Sequence, residues 1–232
     1  NKNAKEVQNT YVKPAEATAV PVTPTDAPAE EASQEGQKVL DDEVSPINVD
    51  FASLKERNGD AAGWLYCPDT VINYVVVQTE DNMFYLHKDI DGNYSSYGTL
   101  FVECMNQKGF KDTNNIIYGH HMKDGSMFAT LDKWYNQAYF DEHPVMYLLT
   151  PEQNYRIELF SAYTTSATSD TYTIFRAPGS DFDSYLAKAS QQSVISSDVT
   201  LEEDAHYVLL STCAYVFENA RDVLHGKLVP IE

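Results

Sequence analysis

No stretch of 18 consecutive apolar residues occurs in this 232-residue chain, so nothing in it reads as a membrane-spanning helix or a signal peptide. Basic residues are scarce as well, with 16 Lys and Arg against 35 Asp and Glu and a formal net charge of −19. Residues 1 to 50 carry −6 of that charge and the remainder −13, so the acidity is spread over the whole chain. This excludes nucleic acid as a partner, because phosphate recognition needs clustered Lys and Arg. Cysteine is limited to Cys67, Cys104 and Cys213, an odd number that leaves at least one thiol unpaired if the chain is secreted. No CxxC pair is present, and His120, His121 and His143 lack the spacing of short-range ligand pairs, so no metal and no cofactor are expected. Internal repeats are absent too.

Residues 1–45 contain Pro14, Pro21, Pro24 and Pro28 among Ala, Glu, Thr and Val, with Tyr11 the only aromatic and no sustained apolar period. Such a stretch buries too little surface to offset its ordering entropy, and the reading is an extended, disordered linker. A globular domain then occupies 46–232. A spacer of this composition suggests an anchor ahead of it.

Within the domain, Asp50 before Phe51, Leu54 and the run to Asn58 predicts a short N-capped helix. Short β-rich pieces follow at 72–78, 98–104, 114–120, 145–150, 155–164, 206–213 and 223–231. Tyr155, Ile157 and Leu159 alternate with Arg156 and Glu158, the period of a half-buried strand. Two more helices are predicted: 126–136 capped by Ser126, and a helix over 180–192 with Ser180 and Asp183 as a capping-box-like pair. Many short strands at close spacing predict a mostly β barrel or sandwich.

The apolar run "HYVLLSTC" stops at Cys213, and a single arginine, Arg221, stands eight positions on. If 206–212 and 223–231 pair as antiparallel neighbours, the connecting loop returns Arg221 to Cys213 at one end of the sheet. That suits a nucleophilic thiol beside a permanent cation able to hold a developing oxyanion. On spacing alone, a free cysteine that merely fills core, with a surface arginine, is the preferred reading. "NIIYGHHMKDG" supplies a histidine at a strand end, where Gly119 permits close approach or an unusual backbone angle. Two adjacent histidines on a strand face opposite ways, so only one of His120 and His121 would reach a site.

The ordered motifs "NNIIYGHHMKDGSMFATLDKW" and "VLLSTC" with the later Arg, together with the helix over 181–192 ahead of the cysteine strand, resemble those of sortases of class B. The lead-in "VDFASLKERNGDAAGWLYCPDTVINYVVVQ" is similar as well, and the likeness spans residues 49–231. The resemblance implies a closed, mostly antiparallel eight-stranded β-barrel with an N-terminal helix and a long helix inserted before the cysteine strand. It implies Cys213 as nucleophile, His120 rather than His121 as the catalytic histidine, and Arg221 as the third member. Ser211 and Thr212 fall in the family's threonine–cysteine motif, and Tyr172 and Ile174 are candidates for the substrate pocket.

The implied activity is transpeptidation. The enzyme would cleave a C-terminal sorting signal after Thr through a thioester and transfer the protein to a peptidoglycan-precursor or pilin amine. The implied location is the outer face of a Gram-positive cell membrane, held by an N-terminal anchor. A papain-type cysteine hydrolase is the nearest rival, but it places Cys before His, the reverse of this order. A surface-binding β-domain is the rival of another class, and it would need neither a reactive thiol nor His120.

Overall fold

The computed structural model describes residues 2–15 and 44–232. In chain order the elements are α1 (Lys2–Tyr11), β1 (Val12–Pro14), β2 (Ile47–Val49), α2 (Phe51–Arg57), β3 (Ala61–Tyr66), β4 (Asn73–Val77), β5 (Leu100–Val102) and β6 (Asn114–Tyr118). They continue with α3 (Gln137–Glu142), β7 (Val145–Leu149), β8 (Asn154–Ser166), α4 (Ser180–Gln192), β9 (His206–Cys213) and β10 (Ala220–Ile231). Single 3₁₀ turns lie at Tyr85–His87, Leu131–Tyr135 and Asp170–Tyr172.

Eight strands close into a barrel in the order β10-β8-β7-β3-β4-β5-β6-β9. All pairs are antiparallel except β4 with β5 and β6 with β9. The run "YVLL" in β9 is apolar without alternation because both of its faces are covered. Val208 and Leu210 join the cluster that also holds Leu65, Ile117, Ile157 and Leu224, while Tyr207 and Leu209 pack in the cluster with Phe182, Tyr185, Leu186 and Ala189 of α4. The first cluster also holds Phe128 and Trp134, both fully buried.

Local predictions meet the structure unevenly. Asp50 caps α2 as expected: its carboxylate accepts from the Ser53 N–H at 3.0 Å and from the Ser53 hydroxyl at 2.7 Å. The helix over 180–192 forms, but Ser180 is its first residue rather than its cap, and no side-chain cap bond is made. The helix expected over 126–136 does not form. Met127 takes a φ of +57°, its N–H donates to the Tyr74 hydroxyl at 3.0 Å, and the Phe128 N–H donates to the His120 carbonyl. The apolar spacing there still serves burial of Met127, Phe128, Leu131 and Trp134, through an irregular chain and one 3₁₀ turn. Strand β3 adds one member to the expected set.

The linker reading of residues 1–45 needs correction for residues 2–15, while 16–43 lie outside the described residues. Helix α1 buries Val7 against a cluster that includes Ile47, Leu54 and Trp64, and β1 pairs antiparallel with β2. Arg57 of α2 clamps the helix: its guanidinium lies 2.9 Å from Glu6 and 2.7 Å from Asp91. The carboxyls of both Glu6 and Asp91 are held below the usual carboxylate range, first of all by their hydrogen bonds to Arg57. One buried valine and a charged clamp dock a segment with too little apolar surface to show a stripe.

Candidate active site

Three strand ends meet at one rim of the barrel. Strands β9 and β10 are antiparallel with Cys213 and Arg221 as direct register partners. Strands β6 and β9 are parallel, with Tyr118 opposite Ser211 and the Gly119 N–H donating to the Ser211 carbonyl at 3.1 Å. Parallel neighbours end on the same rim, so His120, two residues past Tyr118, emerges beside Cys213, two residues past Ser211. All three side chains are half-buried and line one cleft of about 300 Å³.

Gly119 makes the strand end fit. A Cβ there would lie 2.4 Å from Leu100 Cδ2 and 2.7 Å from Phe128 Cδ2. The expectation of close approach therefore holds, without an unusual backbone angle. Beyond it, His120 Nε2 lies 2.6 Å from the Leu86 carbonyl. A carbonyl only accepts, so this contact assigns the hydrogen to Nε2. The ring also stacks on His87, with centroids 5.5 Å apart and planes 19° from parallel. His121 goes elsewhere, meeting the Tyr215 ring edge-on at 5.2 Å. His143 packs on Trp134 and Tyr139.

Arg221 Nη1 donates to the Ala220 carbonyl at 2.9 Å. The guanidinium has further N–H groups, a fork suited to an oxygen gaining charge. Tyr172, on its 3₁₀ turn, bonds the Ser211 hydroxyl at 2.8 Å and stacks on Tyr118 with centroids 6.3 Å apart. Burial pushes the Tyr172 phenol up to about 12 against the opposing pull of Ser211 and Arg221, so it stays neutral at physiological pH. Thr212 also lines the cleft, and its buried Oγ1 has no partner among the described residues. Ile174 does not line it; the residue is half-buried in the cluster beneath α4.

Sequence reasoning missed Asn82, Leu86 and Tyr118 in the cleft wall. Tyr118 was within reach, since it precedes the histidine by two positions on the same strand; Asn82 and Leu86 come from a loop that carries no periodic signal. Buried Glu103 supports this wall, accepting from the Tyr118 hydroxyl at 3.0 Å and from Asn82 Nδ2 at 2.8 Å. The other two thiols are poorly suited to nucleophilic work. Burial pushes Cys67 up to about 12, and Cys104 is raised by burial and by its bond to Glu103.

No protein-family profile matches the chain. It is similar to sortase B of Listeria monocytogenes, 36% identical over 214 residues that cover 85% of this chain and 86% of that one. Sortase B of Staphylococcus aureus is 30% identical over 206 residues, covering 87% and 84%. A Bacillus anthracis crystal structure described as similar to sortase B superposes with a TM-score of 0.75 at 34% identity, over 100% of this chain and 96% of that one. The Staphylococcus aureus enzyme solved as a substrate complex gives 0.74 at 28%, over 78% and 85%. A sortase B complexed with triglycine gives 0.72 at 30%, over 78% and 86%. With this level of identity over most of both chains, and a barrel that matches in three dimensions, the chain belongs to the class B sortases and is a cysteine transpeptidase.

Proposed function

We propose that Cys213 is the nucleophile, Arg221 the oxyanion partner and His120 the acid–base group, and that the cleft receives an extended sorting signal whose threonine carbonyl sits between them. The Cys213 thiolate adds to that carbonyl, and the oxygen gains charge against the Arg221 guanidinium. Collapse breaks the C–N bond as His120 protonates the departing amine, leaving a thioester on Cys213. An incoming amine then attacks the thioester, the C–S bond breaks, neutral His120 takes the amine's proton, and the Cys213 thiolate is restored. Tyr172, Ser211 and Thr212 are the substrate-binding residues of this reading. Ile174, packed in the cluster beneath α4, is not among them.

The observation that carries the proposal is the register: Cys213 and Arg221 are cross-strand partners, and His120 stands two residues past the end of the parallel strand next door. The substrate and triglycine complexes of relatives support a peptide donor and a glycine-type amine acceptor, as on peptidoglycan precursors; a pilin amine is the other acceptor of the same chemistry. We place the enzyme on the outer face of a Gram-positive cell, where such acceptors are. No helix among the described residues is long and apolar enough to cross a membrane, so an anchor would lie outside them.

Arg221→Lys tests the assignment. Lysine keeps the charge but loses the planar fork, so kcat should fall by roughly 10²–10³, the typical cost of a lost oxyanion donor, with KM little changed. A raised KM at unchanged kcat would make Arg221 a substrate clamp instead.

A further inference from the structure

We propose that His87 is a positioning residue for His120, holding the catalytic imidazole at a fixed angle so that its Nδ1 faces the cleft; the proposal rests on the acid–base role given to His120 above. The Leu86 carbonyl, 2.6 Å from His120 Nε2, fixes one point of the ring. One hydrogen bond leaves the ring free to swing about that contact. The His87 ring, from the very next residue, lies nearly parallel to His120, with planes 19° apart and centroids 5.5 Å apart, and so opposes the swing.

The turn that carries both groups is itself braced. The Thr99 N–H donates to the Tyr85 carbonyl and the Ser95 N–H to the His87 carbonyl, both at 3.0 Å. Below them the Tyr85 hydroxyl donates to Asp60 Oδ2 at 2.9 Å and accepts from Asn58 Nδ2 at 2.6 Å. Gly98 lets the backbone close in: it has a φ of +59°, and a Cβ there would lie 2.6 Å from the Tyr85 oxygen and 2.7 Å from the Leu86 oxygen. His87 itself is solvent-exposed, with the Tyr94 ring at 6.4 Å as its other aromatic neighbour. An exposed ring contributes little to the core, which leaves its stacking partner as the reason for its place.

The consequence is a defined proton path. With Nε2–H committed to Leu86, the proton delivered to the departing amine comes from Nδ1. The C–N bond breaks, its electron pair stays on nitrogen, nitrogen takes the Nδ1 proton, and neutral His120 keeps Nε2–H on the carbonyl. Reacting groups misplaced by about 1 Å cost on the order of 10² in rate. A ring freed to swing spends part of its time misplaced, and the expected loss is smaller.

The full chain is assayed with whichever of two quenched fluorescent sorting-signal peptides, of Asn-Pro-x-Thr or Pro-x-Thr-Gly type, it cleaves faster, and with triglycine as acceptor. His87→Ala should lower kcat about tenfold with KM within about twofold, and His87→Phe, which restores a flat ring, should recover most of kcat. Nitrogen NMR of histidine-labelled protein should show His120 as the Nε2–H tautomer in the wild type and His87→Phe, and a mixed signature in His87→Ala. Wild-type kcat in His87→Ala, or equal losses in both variants with an unchanged His120 signature, would overturn the proposal. His120→Ala in the same assay separates the two claims: if it stays active, the role of His120 is wrong; if it is inactive while His87→Ala is unimpaired, only the role of His87 is wrong.

Discussion

Replacing Gly119 by alanine adds one methyl at the point where the barrel core meets the rim that carries His120, Cys213 and Arg221. That methyl would sit 2.4 Å from Leu100 Cδ2 and 2.7 and 2.8 Å from two atoms of the Phe128 ring, well inside contact distance. Leu100 and Phe128 are both fully buried, so neither has room to retreat. Two responses are available. If the core gives way, overpacking costs about 1–3 kcal/mol, partly offset by the ~0.4–1 kcal/mol gained from a stiffer unfolded chain. A net loss of ~1–2 kcal/mol in a domain of this size lowers Tm by roughly 2–8 °C. If instead the end of β6 shifts outward, His120 moves with it, and a displacement of about 1 Å costs on the order of 10² in rate. Thermal unfolding and kcat measured on the same Gly119→Ala preparation distinguish the two. An unchanged or raised Tm together with wild-type kcat would refute the claim that this glycine is there to admit its neighbours.

Deleting residues 1–15 should lower Tm by several degrees and leave an active barrel, because it removes the Val7 contact and the Glu6 end of the Arg57 clamp; an unchanged melting curve would show that α1 does not dock in solution. Buried His225 makes a second stability prediction, about pH. Its Nε2 lies 3.0 Å from the Tyr185 hydroxyl, and burial lowers its pKa from 6.5 to about 3. The unfolded chain therefore binds this proton more readily, so the contribution is fully present above pH 6.5 and is lost as pH falls from there towards 3. Across that window His225 should add up to about 1.4 kcal/mol per pH unit to the slope of stability against pH. His225→Gln, which keeps a donor for Tyr185, should flatten that slope, and an identical slope in both proteins would contradict the assignment.

The placement of Cys213 beside Arg221 was legible because its signals are local. An apolar run that stops at a cysteine, a turn, and one arginine ahead of the next apolar run bring the two together if the strands pair, and they do pair, with Cys213 opposite Arg221. The docking of α1 was not legible, since a single buried valine and ion pairs to distant residues leave no periodic trace. Likewise the stretch from Met127 to Tyr135 carries helical spacing, yet Met127 and Phe128 are tied by their N–H groups to Tyr74 and His120. Tertiary bonds override propensity there. The cleft wall from Asn82 and Leu86 comes from a loop whose position depends on bonds from Tyr85 to Asp60 and from Asn82 to Glu103, neither of them close in sequence.

The central claim, that Cys213 carries the acyl group, is tested most directly by intact-mass analysis of the full chain after brief mixing with sorting-signal peptides of Asn-Pro-x-Thr and Pro-x-Thr-Gly type in the absence of acceptor amine. The expected result is a mass increase equal to the acyl fragment ending in Thr, located to the Cys213 peptide, released by hydroxylamine as a thioester should be, and absent from Cys213→Ala although that variant folds. An adduct on Cys67 or Cys104, or turnover that persists in folded Cys213→Ala, would contradict it.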